Sequence, residues 1–195
     1  MNDRSGPDDL KARFAAVARR LGAALEVVVN PGAVVEVDGS AVPPVEGAYP
    51  DWLLEAVVLR SLAPRHVLFL CVANSARSQM AEGLARALAP EGVRISSAGS
   101  HPTSVRPQAV AVLGEVGIDI SRQTSNGVDG VPGDIDAVVT LCAEEVCPVW
   151  LGHAWRLHWG LPDPAGAGES PAEELEAFRR VRDELRTRLG VLFGG

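Results

Sequence analysis

Cysteine is scarce in this chain, with three residues in 195, at positions 71, 142 and 147. An odd and small number suits a reducing compartment with reactive thiols better than a secreted disulfide scaffold. Long apolar runs are missing as well. No stretch approaches the ~18 uninterrupted apolar residues of a membrane span, and the start, Met1-Asn2-Asp3-Arg4-Ser5, has no apolar signal core. The predicted location is cytoplasmic, with no membrane partner. Positive charge is in deficit: 18 Lys and Arg against 25 Asp and Glu leave a net charge of -7, which argues against nucleic acid. An anionic substrate must then be drawn by a local field. Internal repeats and low-complexity tracts are absent.

What is present is apolar residue enough, 47% of the chain, for one α/β core and a small extra module. From residue 65 the pattern predicts strands over 66–71, 93–97, 135–141 and 155–159, helices over 77–89 and 107–116, and a last helix over 171–189. Such alternation implies a four-stranded parallel sheet sandwiched by helices. The last helix carries Leu175, Phe178, Val181, Leu185 and Leu189 on one face, which reads as core. Its Arg179, Arg180, Arg182, Arg186 and Arg188 are interleaved with acids and read as solvated surface.

The chemistry concentrates at Cys71-Val72-Ala73-Asn74-Ser75-Ala76-Arg77-Ser78, between the apolar run His66–Leu70 and a helical pattern. A strand delivers the chain to a tight loop, and the following helix leaves its first N–H groups aimed into that loop. Successive loop amides form an anion-binding nest, and Arg77 adds a planar fork that matches two oxygens of a phosphate or arsenate. The thiolate is the nucleophilic form of cysteine, and a positive helix end favours it. Ser78 can donate its hydroxyl to the Cys71 sulfur, while Asn74 and Ser75 can hold the loop through side-chain to backbone hydrogen bonds. The plainer alternative is a buried strand-end cysteine followed by an ordinary arginine.

A second strand ends at Cys142, with Cys147 five residues on. Ligand sites in open parallel sheets collect beyond the carboxyl ends of the strands, the edge that also holds Cys71. A spacing of five does not put two cysteines on one helical face, so bridging them requires an irregular segment, and Pro148 disfavours a continuing helix. Two buried structural thiols are the alternative. Zinc is not supported, because His153 and His158 lack ligand spacing. Asp163, followed by Pro164, reads either as a general acid or as an Asp-Pro turn opener.

From about residue 65 onward the chain resembles the low-molecular-weight phosphatase superfamily, and within it the arsenate reductases that recycle through intramolecular thiols. The stretches that carry the resemblance are Asn74-Ser75-Ala76-Arg77-Ser78-Gln79-Met80-Ala81-Glu82, Ser97-Ala98-Gly99-Ser100-His101-Pro102, Val116-Gly117-Ile118-Asp119-Ile120-Ser121, Thr140-Leu141-Cys142 and His158-Trp159-Gly160-Leu161-Pro162-Asp163-Pro164-Ala165-Gly166. The resemblance implies a three-layer α/β sandwich on a four-stranded parallel sheet, an oxyanion loop over residues 71–78, and Asp163 as general acid. It also implies a relay in which Cys142 and then Cys147 carry the oxidising equivalents from Cys71 to thioredoxin or a similar dithiol. The phosphatases follow Asp-Pro with tyrosine, an aromatic wall; here Ala165-Gly166 follows and the one tyrosine is Tyr49. A small inorganic oxyanion such as arsenate suits this site better than an aryl phosphate.

Two departures concern the loop itself: Ala73 stands where glycine is common, and Ala76 where a further cysteine often sits. Some relatives bind potassium beside the loop, and the matching positions are Asn74, Glu82, Thr124 and Asn126, with Asn126 in place of a carboxylate. No tightly bound cofactor is implied. The rival functions are a phosphatase acting on phosphotyrosine or small esters, which would not need Cys142 or Cys147, and a non-catalytic oxyanion or redox sensor.

Residues 1–64 read as a small α+β extension without a catalytic constellation. Leu10, Phe14, Val17 and Leu21 share a helical face, Asn30-Pro31-Gly32 forms the turn of a hairpin, and a Pro-rich connector leads to a helix over 51–62 in which Trp52 reads as core. The extension is too short for a secure independent domain; its role is open between packing, dimerisation and docking, with packing the expected one.

Overall fold

The computed structural model describes residues 6–30, 34–143 and 148–194, in two compact units, Met1–Ala63 and Pro64–Gly195. Cys147, Pro31-Gly32 of the expected hairpin turn and the Ala33 that follows it lie outside the described residues. Among the described residues no helix is long and apolar enough to cross a membrane.

The first unit begins with α1 (Pro7–Leu21), which has proline in its first turn, Asp8 and Asp9 beside it, and Arg19 and Arg20 in its last turn. Those charges complement the helix dipole, and Gly22, at φ 71°, ends the helix in the left-handed conformation. Its buried face is Leu10, Phe14, Ala18 and Leu21; Val17, expected there, is half-buried, because Ala18 takes the inner position. Strands β1 (Val27–Asn30), β2 (Val34–Val37) and β3 (Ser40–Val42) form an antiparallel meander. Helix α2 (Asp51–Ser61) buries Leu53, Leu54 and Ala56 to Leu59. Trp52 is only half-buried, since its neighbours Leu53 and Leu54 occupy the inner face. Tyr49 donates its hydroxyl to the carbonyl of Val42 at 3.0 Å.

The second unit runs β4 (His66–Cys71), α3 (Arg77–Leu88), β5 (Arg94–Gly99), α4 (Pro107–Gly114), a 3-10 turn at Val128–Gly130, β6 (Ala137–Cys142), β7 (Trp155–Leu161) and α5 (Pro171–Phe193). The four strands are parallel in the order β5-β4-β6-β7. All six residues of β4 are buried, as expected of a central parallel strand covered on both faces. One face carries a cluster of Leu68, Leu70, Ala98, Ile135, Val138 and Trp150. Helix α3 packs on β4 and β5 and against α5, with α4 beside both helices. The chain leaves β4 for β5 on one side and returns to β6 on the other, so the C-terminal end of β4 is the topological switch point where open α/β sheets bind ligands.

Helix α5 is capped by Ser170, whose side chain accepts the Glu173 N–H at 3.3 Å. Phe178, Val181, Leu185 and Leu189 are buried and Leu175 is half-buried. Arg182 departs from the solvated reading. It is 8% exposed, donates to the Val112 carbonyl at 3.0 Å and to Glu115 at 2.8 Å, and so neutralises the C-terminal end of α4. Arg179 forks onto the same carboxylate. Hydrogen bonds from Arg179, and then from Arg182, hold the Glu115 carboxyl down to about 2.

Candidate active site

Cys71 closes β4 and is 2% exposed. Its Sγ lies 2.9 Å from Ser78 Oγ and accepts the Asn74 amide N–H at 3.2 Å. Asn74 turns the loop through a left-handed conformation, φ 44°, which asparagine tolerates better than most residues.

The loop carbonyls are all tied to donors outside it. Val72 O accepts from His101 N at 2.9 Å, Ala73 O from Thr103 N at 3.0 Å, and Ser75 O from Arg106 N at 2.9 Å. Asn74 O accepts from Ser125 Oγ at 2.6 Å, and Ala76 O from Met80 N at 2.9 Å within α3. These carbonyls are thereby engaged away from the loop, and the Asn74 amide faces the Cys71 sulfur, as an anion nest requires. Ala76, at the N-cap of α3, has no side-chain cap, so the helix end presents its own N–H groups to the loop.

The loop is supported by residues that a local reading of 71–78 does not reach. Asn74 is fully buried and makes four side-chain hydrogen bonds: Nδ2 to Ser78 Oγ and to Ser97 Oγ, both at 2.8 Å, and Oδ1 from Gln79 Nε2 at 2.9 Å and from Asn126 N at 2.7 Å. Ser97 donates to Glu82. Gly99 ends β5 where a Cβ would lie 2.8 Å from the Asn74 amide nitrogen, so only glycine admits the loop there. The available signal was the Ser97-Ala98-Gly99 stretch, but its role appears only once β5 lies beside β4.

Arg77 and Asp163, 86 residues apart in sequence, meet at the site. Arg77, 3% exposed, donates Nη1 to the Leu161 carbonyl at 3.0 Å, and its Nη2 lies 3.1 Å from Asp163 Oδ2. The fork thus ties the loop after β7 to the nucleophile loop. Asp163 also accepts the Ala165 N–H at 3.1 Å, so it opens a turn as well as facing the arginine. Its carboxylate is 40% exposed, open to proton exchange with water.

Cys142 closes β6, the strand next to β4, and is buried. The register pairs Leu70 with Thr140, so Cys142 stands one residue beyond the level of Cys71 across a strand spacing of ~4.8 Å.

The expected potassium positions do not fit an ion. Asn74 Oδ1 and the Thr124 carbonyl each accept two N–H donors. The two Glu82 oxygens take the Ser97 hydroxyl and the Arg86 guanidinium. Glu82 has a raised pKa, chiefly because it is buried, with Ser97 and Arg86 opposing the shift. The one carboxylate is already matched by a cation. Among the described residues no group of three or more His, Cys, Asp or Glu side chains is placed to hold a metal.

The low molecular weight phosphotyrosine protein phosphatase family matches residues 66–194. The arsenate reductase of Bacillus subtilis (strain 168) is 45% identical over 126 residues, covering 63% of this chain and 91% of the relative. The crystal structure of arsenate reductase from Archaeoglobus fulgidus DSM 4304 superposes with a TM-score of 0.57 at 34% identity, over 66% of this chain and 99% of that one. An arsenate reductase in the phosphate binding state does so with a TM-score of 0.53 at 36% identity, over 66% and 96%. With the Cys71 loop, Arg77 and Asp163 brought together beyond the end of β4, the chain belongs to the low molecular weight phosphotyrosine protein phosphatase family.

Proposed function

We propose that the protein reduces arsenate to arsenite through Cys71 and a relay of Cys142 and Cys147. The observation that carries this reading is the placement of a second cysteine, Cys142, at the end of the strand adjoining the one that ends in Cys71. A hydrolase has no use for it. The kinship with proteins named arsenate reductase supports the same reading, as does Ala165-Gly166 after Asp163-Pro164, which offers an aryl ester no wall.

The Cys71 thiolate attacks arsenate, and Asp163 gives its proton to the departing hydroxide, which leaves as water. Loop amides and Arg77 hold the remaining oxygens. Cys142 then attacks the Cys71 sulfur. The sulfur–arsenic bond breaks with its electron pair on arsenic, which falls from +5 to +3 as the two sulfurs are oxidised to a disulfide. Cys147 attacks Cys142, Cys71 leaves as thiolate, and the Cys142–Cys147 disulfide passes to an external dithiol such as thioredoxin in a reducing, cytoplasmic compartment.

The deciding experiment is arsenate-dependent NADPH consumption with thioredoxin and thioredoxin reductase, on the wild type and Cys142→Ser, with aryl phosphate hydrolysis followed in parallel. Turnover in the wild type that vanishes in Cys142→Ser is expected. Phosphate release without NADPH loss would overturn the reading in favour of a phosphatase.

A further inference from the structure

His158 lies on β7 opposite Thr140 of β6, and its Nδ1 is 2.8 Å from Thr140 Oγ1. The same hydroxyl donates to the Leu157 carbonyl at 3.3 Å. A hydroxyl has one proton. With that proton on Leu157 O, Thr140 Oγ1 accepts from Nδ1–H, and the neutral imidazole is held in the tautomer whose bare lone pair is on Nε2.

Nε2 points along β7 toward Gly160. A Cβ at Gly160 would stand 3.1 Å from Nε2, 3.5 Å from Ala143 Cα and 3.6 Å from the Cys142 carbonyl oxygen. One small volume, kept open by a glycine, is therefore bordered by the imidazole nitrogen and by the backbone of Cys142. From Thr140 to Cys142 β6 advances two residues, while β7 advances three from His158 to Leu161. The extra residue lies on β7, at Trp159–Gly160, as in a bulge. Strand β6 keeps its alternation, so Cys142 projects to the same face as Thr140 and His158, while Cys71, level with Leu141, projects to the other, and a thiolate formed on this face must cross the end of β6 to reach Cys71. Among the described residues, the other titratable or charged side chains near this face are Arg156, two residues before His158 and bonded to the Trp150 and Gly152 carbonyls, and Asp163 beyond the end of β7, paired with Arg77.

Resting on the reductase reading above, we propose that His158 is the proton acceptor for Cys142. A free thiol is only a few per cent thiolate at neutral pH, and Cys142 is 1% exposed, away from bulk water as a base. The Cys142 thiol gives its proton to His158 Nε2. The resulting thiolate forms the bond to Cys71 Sγ, the sulfur–arsenic bond breaks with its electron pair on arsenic, and the imidazolium returns its proton to solvent. Thr140 fixes the tautomer, and Gly160 leaves room for the ring.

The test is a single turnover with arsenate and no thioredoxin, on the full chain as wild type, His158→Gln and His158→Ala, counting thiols after acid quench between pH 5.5 and 9. Taking the ratio of wild-type to variant rates cancels the pH dependence of the steps they share. The expected ratio is about tenfold or more at pH 7, falling as pH rises and hydroxide replaces the imidazole as the base, and free imidazole restores His158→Ala. A ratio that is flat with pH, or variants with the wild-type rate at pH 7, would overturn the role of His158 while leaving the reductase reading intact. Absence of arsenate-dependent loss of two thiols in the wild type would overturn the reductase reading and this role together.

Discussion

Gly99 and Asn74 approach so closely that a Cβ on the glycine would stand 2.8 Å from the asparagine amide nitrogen, and nearer still to the Val72 carbonyl. Both obstacles are main chain and belong to the nucleophile loop. Gly99→Ala must therefore push the loop from its place at the end of β4. Arsenate turnover is expected to fall at least about tenfold, since a displacement of ~1 Å costs on the order of a hundredfold where geometry carries the rate. Gly127→Ala is the control, because its Cβ would meet nothing nearer than Pro102 at 3.9 Å. Equal activities in the two variants would refute the packing argument.

Asn74 concentrates four hydrogen bonds in one buried amide. Truncation to alanine removes all four bonds; Ser97 keeps Glu82 and Gln79 keeps the Thr124 carbonyl, while the Asn126 N–H loses its acceptor, and a group left unpaired away from water costs roughly 1–3 kcal/mol. Asn74→Ala is expected to lose at least ~2 kcal/mol in urea unfolding. Asn74→Gly loses the same bonds but relieves the positive φ of 44°, and should recover about 1 kcal/mol of that loss. An alanine variant as stable as the glycine variant would show that the left-handed turn carries no strain.

How much of this was readable in advance depends on distance along the chain. The loop from Cys71 to Ser78 was legible because nucleophile, amides, arginine and hydroxyl lie on eight consecutive residues between a strand and a helix. Arg77 and Asp163 were legible separately, and their 3.1 Å pairing emerges only when β7 lies in the sheet. Of the props of the loop, Gln79, Ser97 and Gly99 stand in stretches that carry the resemblance, but what they hold is visible only once β5 lies beside β4, and Ser125 carries no local pattern of its own. Arg182 misled because its neighbours on α5 are solvated charges; what buries it is the end of α4, which helix periodicity cannot see. Strand β3 was missed because three residues, Ser40–Val42, are too few to show alternation.

Glu115 sets a pH dependence. Its carboxyl titrates near 2 in the folded protein against an ordinary 4.5, through hydrogen bonds from Arg179 and then Arg182. A depressed folded value means that the contribution is fully present above the unfolded value and fades as pH falls from about 4.5 toward 2. Denaturant midpoints at pH 6, 4 and 3 should fall more steeply in the wild type than in Glu115→Gln. Parallel slopes would mean that these exposed pairs contribute nothing measurable, as many surface ion pairs do.

Asp163 faces two demands that one substitution separates. Asparagine keeps an acceptor for the Ala165 N–H, which the aspartate binds at 3.1 Å, so the turn after β7 survives Asp163→Asn. What is lost is the ionisable proton and the charge opposite Arg77 Nη2. If Asp163 protonates the departing hydroxide, the first step should slow by about 10²–10⁴-fold, the range for a removed general acid. Oxyanion binding should hold or tighten, because Arg77 loses a competing carboxylate. Phosphate affinity by calorimetry and single-turnover arsenate reduction then move apart, with binding kept and rate lost. Loss of both in equal measure would make Asp163 a structural clamp on Arg77; retention of both would leave the leaving oxygen to take its proton from water.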